Sequence, residues 1–504
     1  DIPGLILSKN LHGMEIDSRA AQIAGLALAM CAREMDRRFF RRGIQADIAV
    51  LKPVMLEEGD IPQGAALAKK KDLIDALAHL DEVGSLLAPS EDDLAALREA
   101  IELTGADGLF DGNSKNKLEC ALKTCEILAR RHDCVVANPP YMGSSSFGPF
   151  MSKWVKQNYP DVKSDLFSSF VVRMFNLAKD HGECGVMSPF VWMFIGSYEK
   201  LRNEMIDNRT LTSLVQLEYS GFAGATVPIC TYTFHNSFIK GYKGGYVRLS
   251  DFVGAAVQAP KALEAIGNPD CGWFYRRDAE TFKRIPGTPI AYWASDGLLS
   301  AFSLANSISD FSDYTGSQNK TGDNNLYLRL FWEVSARSVG HKGSWATYSK
   351  GGDFRRWFGN LHWLVSIKKD AIEFYRSNPT SNLLASKYWY SEGICYTMLT
   401  SGKPSFRLLP PTGGFDMAGP CICGLGPNRN WALGFLNCSI AADVLNMLNP
   451  TLNMQARDIK SLPMLISDEY KPVVNGLVDS SVSISKIDWD SFETSWDFKR
   501  HPLL

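Results

Sequence analysis

The chain has 504 residues, of which 45% are hydrophobic and 21% are charged, and its formal net charge is -2. This length is too great for one ordinary core and predicts two or three domains of a soluble globular protein. The small net charge argues only weakly against nucleic-acid binding, because the local distribution of Lys and Arg decides that property.

Membrane, secretion and metal signals are weak. The longest apolar runs, IAGLALAMCA and GVMSPFVWMFIG, are too short to span a bilayer. The segment DIPGLILSKN lacks the basic and apolar regions of a secretory signal. Eleven scattered cysteines without zinc-site spacing predict a reduced, cytoplasmic protein with no metal site and no membrane partner.

The first segment is typical of an α/β fold. LHGMEID (11–17) predicts a short strand that ends in acids, and Ser18 is the expected N-cap of a helix that follows. That helix is apolar nearly all round, which predicts packing on a sheet. Residues 57–130 look mostly helical.

The next segment alternates strands and helices. CVVA (134–137) is a short apolar run, typical of a parallel strand buried on both faces. Helical and strand patterns alternate from there, which predicts a doubly wound sheet. After about residue 285, Gly, Pro, aromatic residues and polar loops increase, so we place a domain boundary near 285–295.

The stretch DCVVANPPYMG contains the most informative motif. In open parallel sheets, ligands bind outside the carboxyl ends of the strands, where Asn138 is expected. The prolines remove two N–H donors, so the Asn138 side-chain oxygen and the Pro139 carbonyl can both accept from an exocyclic amine. Tyr141 supplies a ring on which a base can stack.

The motif and its surroundings resemble the amino-methylating DNA methyltransferases, which use S-adenosylmethionine. Within them, the chain is most similar to the large adenine-N6 methyltransferases of BREX phage-defence systems, the PglX family. The likeness is carried by LHGMEIDSRAAQIAGLAL, VVANPPYMG, YPDVKSDLFSSFVVRM, MFIGSYEKLRNEMIDN and LNPTLNMQARDIKSLPM.

The resemblance implies a fold and a domain plan. It implies an α/β chain in which residues 1–290 form a Rossmann-like methyltransferase sheet that lacks its first strand, with a helical insertion at about 45–130. A mixed, β-rich target-recognition domain is expected at 291–470. Residues 471–504 are expected to be a C-terminal tail or the start of a further segment.

The resemblance also implies roles for site residues. It assigns Asn138, Pro139, Pro140 and Tyr141 to the target base. Glu15 is assigned to the ribose hydroxyls of the methyl donor, which agrees with the usual place of an acid at a strand end. Phe222 is implied as a second aromatic against the base, and Asp81 as a contact of the donor adenine. A helix cap for Glu15 and a core position for Phe222 remain open.

The donor loop of the family is not found in this sequence. In the family, a Gly-rich turn of the form Asp-Pro-x-x-Gly-x-Gly precedes the acidic strand, whereas here GLILSKN leads straight into LHGMEID. The Gly-x-Gly at 421–426 is interpreted as a turn of the second domain. We therefore expect an N-terminally truncated chain whose donor site is incomplete by itself.

Polar loops of the second domain carry residue types that read DNA. Asn and Gln suit adenine, and Arg and Lys suit guanine or phosphates. The candidates are Gln318, Asn319, Lys320, Asn325, Arg329, Arg355, Arg356 and Lys403.

The sequence thus predicts a site-specific adenine-N6 DNA methyltransferase of a phage-defence system, with S-adenosylmethionine as cofactor. Double-stranded DNA and other defence proteins are the expected partners. Two alternatives remain, a catalytically incomplete DNA-binding or assembly module and a bifunctional restriction-modification enzyme. A protein-glutamine methyltransferase is less favoured, because it would leave the second domain without a purpose. From chemistry alone, cytosine-N4 methylation is also open.

Overall fold

The computed structural model describes residues 2–106, 112–222, 227–313, 318–399, 402–449 and 454–504. The chain forms two compact units. The first comprises Asp1–Trp192 and Ser197–Glu280, and the second comprises Met193–Gly196 and Thr281–Leu504. The division after Glu280 lies a few residues before the predicted boundary near 285–295.

The first unit begins with a strand–helix–strand element. Strand β1 (His12–Glu15) pairs in parallel with β2 (Asp47–Val50), and the helix Ser18–Met35 connects them. Asp17 is the N-cap, not Ser18, because its carboxylate accepts from the backbone N–H of Arg19 at 2.7 Å.

The apolar helix Ser18–Met35 was expected to be covered by a sheet, and this expectation was wrong for much of its surface. Its buried residues are the small Ala21 and Ala32. Large apolar side chains on the same helix are exposed, among them Ile23 and Leu26. The helix therefore approaches its neighbours with a narrow alanine face, whereas periodicity alone suggested burial all round.

Between β2 and residue 132, the described residues are mostly helical, as their pattern predicted. The helices are Lys71–Ala78, Leu80–Val83, Glu91–Ala106 and Gly112–Ala129. Asp60 is buried against the last of them, where it bonds Ser114 at 2.8 Å and Lys117 at 2.7 Å. These bonds satisfy a carboxylate that would otherwise be costly to bury.

The main sheet of the first unit has six strands in the order β3-β4-β6-β5-β7-β8. The strands are β3 (His132–Ala137), β4 (Ala178–Pro189), β5 (Thr210–Gln216), β6 (Ile229–His235), β7 (Lys243–Arg248) and β8 (Phe274–Asp278). The helices between or after them are Pro149–Asn158, Leu166–Leu177, Glu199–Asn208 and Ala255–Gly267. The β3/β4 and β5/β7 pairs are parallel and the others are antiparallel, so the sheet is mixed.

Strand β3 is the terminal strand of this sheet, and the prediction that both of its faces are buried was wrong. Cys134 is exposed, and Val136 is 77% exposed. An apolar run predicts burial only if layers cover both faces, and the described residues leave one face of β3 open.

The second unit is richer in short strands. It contains a four-stranded sheet, β14-β10-β11-β9, and a three-stranded sheet, β13-β12-β15. The strands are β9 (Leu328–Leu330), β10 (Trp345–Ser349), β11 (Trp363–Ser366), β12 (Gly393–Tyr396), β13 (Phe406–Leu409), β14 (Gly413–Phe415) and β15 (Cys421–Cys423). The longer helices are Asp296–Leu304, Lys369–Ser377, Arg429–Leu436, Ser439–Leu448 and Lys471–Trp489.

Residues 471–504, expected to be a C-terminal tail or the start of a further segment, lie in this second unit. Val478 of the helix Lys471–Trp489 lies in the main core of the unit, and Trp489 lies in a neighbouring core cluster. A boundary at 470 would have cut through these contacts, which periodicity within one helix does not reveal.

The helical segments Gly426–Leu436 and Ser439–Leu448 meet at 82°. Asn437 lies at the break, where its amide accepts from Phe406 N at 3.1 Å and donates to Phe406 O at 3.0 Å. Among the described residues, no single helix meets the length and hydropathy needed to cross a membrane, although this bent pair meets them jointly.

Candidate active site

The Asn-Pro-Pro-Tyr turn follows the last residue of β3, as predicted. Asn138 is exposed and Pro139 is buried. The hydroxyl of Tyr141 donates to Oδ1 of Asn138 at 3.2 Å. Because an amide oxygen has two lone pairs, Asn138 can still accept from a ligand.

The Tyr141 ring is 39% exposed and is available for stacking. Partial burial raises the pKa of its hydroxyl, and the thiol of Cys230 adds a further contribution in the same direction. The hydroxyl therefore stays protonated at neutral pH, which makes it a donor to Asn138.

An open cleft of about 390 Å³ adjoins this turn. It runs over one face of β3, β4 and β6, where Val136, Asn138, Met187 and Tyr232 line it. The exposed face of β3 is therefore continuous with the turn that carries the motif.

The turn is held by Asp165, which the sequence analysis did not identify. Its Oδ1 accepts from Met142 N at 3.2 Å and from Phe167 N at 3.3 Å. The second bond makes Asp165 the N-cap of the helix Leu166–Leu177. An Asp directly before an apolar helical run is an N-cap signal that could have pointed to this residue.

Glu15 lies at the end of β1, where the resemblance placed an acid. Its Oε1 accepts from Ile16 N at 2.8 Å and from Asp17 N at 3.0 Å. Glu15 thus orders the turn between β1 and its helix. Both bonds use the same oxygen, so Oε2 can accept from a ligand hydroxyl.

Asp81 is exposed on the helix Leu80–Val83, close to the end of β1. The link is Gly84, whose φ is +49° and where an added Cβ would lie 2.9 Å from Cγ2 of Ile16. The same segment contacts the helix Pro149–Asn158, which follows the motif in the chain, because the rings of His79 and Phe150 stack with 3.8 Å between their centres. The segment that carries Asp81 thus lies beside both Ile16, which follows β1, and the helix that follows the motif.

Phe222 is 41% exposed in the loop that follows β5. Strand β5 runs in the same direction as β3, because two antiparallel pairings, β4/β6 and β6/β5, separate it from β4, which is parallel to β3. Phe222 and Asn138 therefore follow strands that end at the same edge of the sheet, where ligands bind in open α/β sheets.

Asn319, a DNA-binding candidate of the second unit, is occupied within the fold. It is 4% exposed, its Nδ2 donates to Phe415 O at 2.9 Å, and its Oδ1 accepts from Leu384 N at 2.8 Å. This amide ties three segments together and has no free face for a base, so we leave it out of the proposed DNA-binding surface.

The remaining candidates are more accessible, with one exception. Lys320, Asn325 and Lys403 are exposed and Arg329 is half-buried. Gln318 is the exception, since it is only 9% exposed. Position in a polar loop therefore does not predict exposure.

The two arginines of the 354–358 segment are held by the fold in different ways. Arg355 forms an ion pair with Asp488 at 2.8 Å and lies over the ring of Trp489. The guanidinium of Arg356 lies 5.5 Å from the ring centre of Phe354. A phosphate would therefore have to compete with Asp488 for Arg355.

Comparison with known proteins tests the predicted resemblance. Residues 9–222 match the family described as Eco57I restriction-modification methylase. The chain is 30% identical, over all of its length, to the adenine-specific methyltransferase BrxX of Escherichia coli O9:H4 (strain HS). It is also 30% identical, over 99% of its length, to the adenine-specific methyltransferase PglX of Lacticaseibacillus casei (strain Zhang). The predicted resemblance is confirmed.

The chain spans 44% of the length of BrxX and 44% of the length of PglX. Among solved structures, it is similar to the Type IIL restriction-modification enzyme MmeI, determined in complex with DNA, with a TM-score of 0.51 and 12% identity. This similarity covers 96% of the chain and 59% of MmeI, and it confirms the predicted fold class.

Proposed function

We propose that this chain is the methyl-transferring and DNA-recognising part of a site-specific DNA methyltransferase that acts on N6 of adenine in a bacterial phage-defence system. The observation that carries the proposal is the Asn138–Tyr141 turn, which lies at the carboxyl end of β3 beside an open cleft. The similarity to BrxX and PglX over the whole chain supports the same activity.

In this proposal the turn holds the amino group of a base that has left the stack. Oδ1 of Asn138 and the carbonyl of Pro139 accept the two N–H bonds, which orients the nitrogen lone pair toward the methyl group. Tyr141 and Phe222 stack on the base, and both rings are exposed enough to do so. Catalysis then rests on positioning, without a covalent enzyme intermediate.

S-adenosylmethionine would supply the methyl group. The residues present fit part of such a ligand, because Glu15 keeps one carboxylate oxygen for the ribose hydroxyls and the exposed Asp81 is close to the end of β1. An acid at a strand end commonly binds ribose hydroxyls in this way. The similarity to methyltransferases supports the choice of cofactor.

The second unit would bind double-stranded DNA through its accessible polar and basic side chains. MmeI, whose fold is similar, was determined in complex with DNA. The accessible residues proposed for this surface are Lys320, Asn325, Arg329, Arg355, Arg356 and Lys403, and the largely buried Gln318 is proposed together with them. We also propose that other proteins of the defence system are partners of this chain.

The test is to express the chain in a host without its own adenine methylation and to measure modified nucleosides in the host DNA by mass spectrometry. We expect N6-methyladenine with the natural chain and none with Asn138→Ala. Tyr141→Phe, which keeps the ring, is the matched variant expected to retain activity.

Two results would contradict the proposal. N4-methylcytosine in place of N6-methyladenine would overturn the choice of base. Absence of any methylated nucleoside with the natural chain would overturn methyl transfer by this chain and would favour the alternative of a DNA-binding or assembly module.

A further inference from the structure

The second unit contains a cleft of about 690 Å³, a volume that suits a ligand of nucleoside size. Its walls combine polar side chains, such as Gln318 and Ser381, with the apolar Met398 and Met417. Among the described lining residues, Lys320 is the only charged side chain. The cleft therefore suits a ligand that has a neutral polar group for the uncharged side chains and a negative charge for Lys320.

Gln318 is the most informative residue of this cleft. It is 9% exposed, and its position is fixed because its backbone carbonyl accepts from the side chain of Asn382. Its side-chain Oε1 is buried and has no hydrogen-bond partner among the described residues. A buried acceptor without a partner is costly, and such groups in native proteins call for an explanation such as a ligand.

The two residues after Gln318 differ from it in their hydrogen bonds or their exposure. Asn319, next in the chain, has both ends of its amide bonded to the fold. Lys320 is exposed, and its backbone pairs in both directions with that of Asn382. The loop is therefore held by its backbone and by Asn319, which leaves the side chains of Gln318 and Lys320 for recognition.

Building on the proposed function, we propose that this cleft reads one base pair of the recognition sequence and that Gln318 selects a base with an exocyclic amino group. In the major groove, only the N6 amine of adenine and the N4 amine of cytosine present N–H donors. Oε1 of Gln318 accepts from that amine, and Lys320 contacts an acceptor or a phosphate beside it. The read base is distinct from the base held at Asn138.

The test begins with selection of duplexes from a random DNA pool by the complete chain, followed by sequencing. Within the selected duplex, each adenine or cytosine is then replaced by purine or 2-pyrimidinone, which lack the exocyclic amine. Competition binding at fixed salt compares the natural chain with Gln318→Leu. Gln63→Leu, a change at an exposed glutamine of the first unit, is the matched control.

We expect the natural chain and Gln63→Leu to lose about 10- to 100-fold in affinity when the amine is removed at one position. Gln318→Leu should bind both forms of that position equally and keep its preference at all others. Its melting temperature should equal or exceed that of the natural chain, because the substitution removes an unpaired buried oxygen.

If Gln318→Leu folds and its sequence preference is unchanged at every position, the inference is overturned while the proposed function stands. If the natural chain enriches no duplex, the proposed DNA binding fails and the inference fails with it. If the natural chain loses affinity where purine replaces adenine, the read base is adenine. If it loses affinity where 2-pyrimidinone replaces cytosine, the read base is cytosine.

Discussion

Asp165 and Met142 are joined by a hydrogen bond of 3.2 Å from the backbone N–H of Met142 to Oδ1 of Asp165. The same oxygen accepts from Phe167 N at 3.3 Å and so caps the helix Leu166–Leu177. One carboxylate oxygen thus fixes the residue after the Asn-Pro-Pro-Tyr turn to the start of a buried helix. The orientation of the turn depends on that helix as much as on the two prolines.

Replacing Asp165 by Ala should destabilise the first unit. The change removes an N-cap, which usually costs about 1 kcal/mol, and leaves Met142 N without its acceptor. Urea denaturation should show the loss, together with weaker methyl transfer. Asp165→Asn is the matched control, since Asn caps helices as well as Asp does. Equal stability of the Ala and Asn variants would show that the side-chain oxygen at position 165 does not hold the turn.

The titration of Asp165 should make the free energy of unfolding depend on pH. Burial raises the pKa of Asp165 above its ordinary value of 3.8, and the backbone N–H groups of Phe167 and Met142 only partly oppose this. As pH rises, the Asp165 carboxyl loses its proton in the unfolded chain before it does so in the folded chain, and this favours the unfolded chain. The free energy of unfolding should therefore fall as pH rises from the ordinary pKa to the raised pKa. Asp165→Asn lacks this titration. Parallel stability curves for the two proteins between pH 3 and about 6 would contradict the assignment.

Tyr141 should act mainly through its ring. Tyr141→Ala is expected to weaken capture of an extrahelical base by about 10-fold or more, since stacking is worth about 1–3 kcal/mol per base. Tyr141→Phe loses the bond to Asn138 but keeps the ring, so its effect should be smaller. Fluorescence of 2-aminopurine placed at the methylated position measures base extrusion directly. An equal loss in both variants would assign the main role to the hydroxyl.

Glu15 should affect donor binding apart from its role in the turn. Glu15→Gln keeps an amide oxygen for Ile16 N and Asp17 N but loses the charge, so S-adenosylmethionine should bind about 10- to 100-fold more weakly by calorimetry. Asp17→Asn, which keeps the N-cap, should bind like the natural chain. Unchanged affinity in Glu15→Gln would reduce Glu15 to a turn-forming residue. If the natural chain binds no donor, the donor site is incomplete in this chain.

Asn319 and Asn325 are nearby amides of the second unit, and the first is bonded within the fold whereas the second is exposed. Asn319→Ala should lower the free energy of unfolding by about 2 kcal/mol or more, because Phe415 O and Leu384 N both lose a buried partner. The exposed Asn325→Ala should change stability by less than about 0.5 kcal/mol. Thermal and urea denaturation of the two variants, measured side by side, give the comparison. Similar stabilities would contradict the structural role of Asn319.

Local patterns predicted much of the first unit. Apolar runs placed the strand before the motif within a few residues, and the pattern at 57–130 predicted the helices of that segment. The residues of the motif predicted the role of the Asn138–Tyr141 turn, and the resemblance supplied Glu15. These features depend on residues that are near one another in the sequence, so a single chain reveals them.

The sequence by itself thus determined the class of fold, the position of the motif after a strand, and the resemblance to the adenine-specific methyltransferases BrxX and PglX. Only the tertiary structure decided which apolar segments are covered, since the open face of β3 depends on layers formed by distant residues. It also showed that Gln318 and Asn319, two adjacent amides that look alike in the sequence, have different surroundings. Asn319 bonds backbone groups 65 and 96 residues away, and Gln318 keeps a buried oxygen without a partner in the described fold. Hydrogen bonds to distant residues set the role of each amide, and no local pattern encodes them.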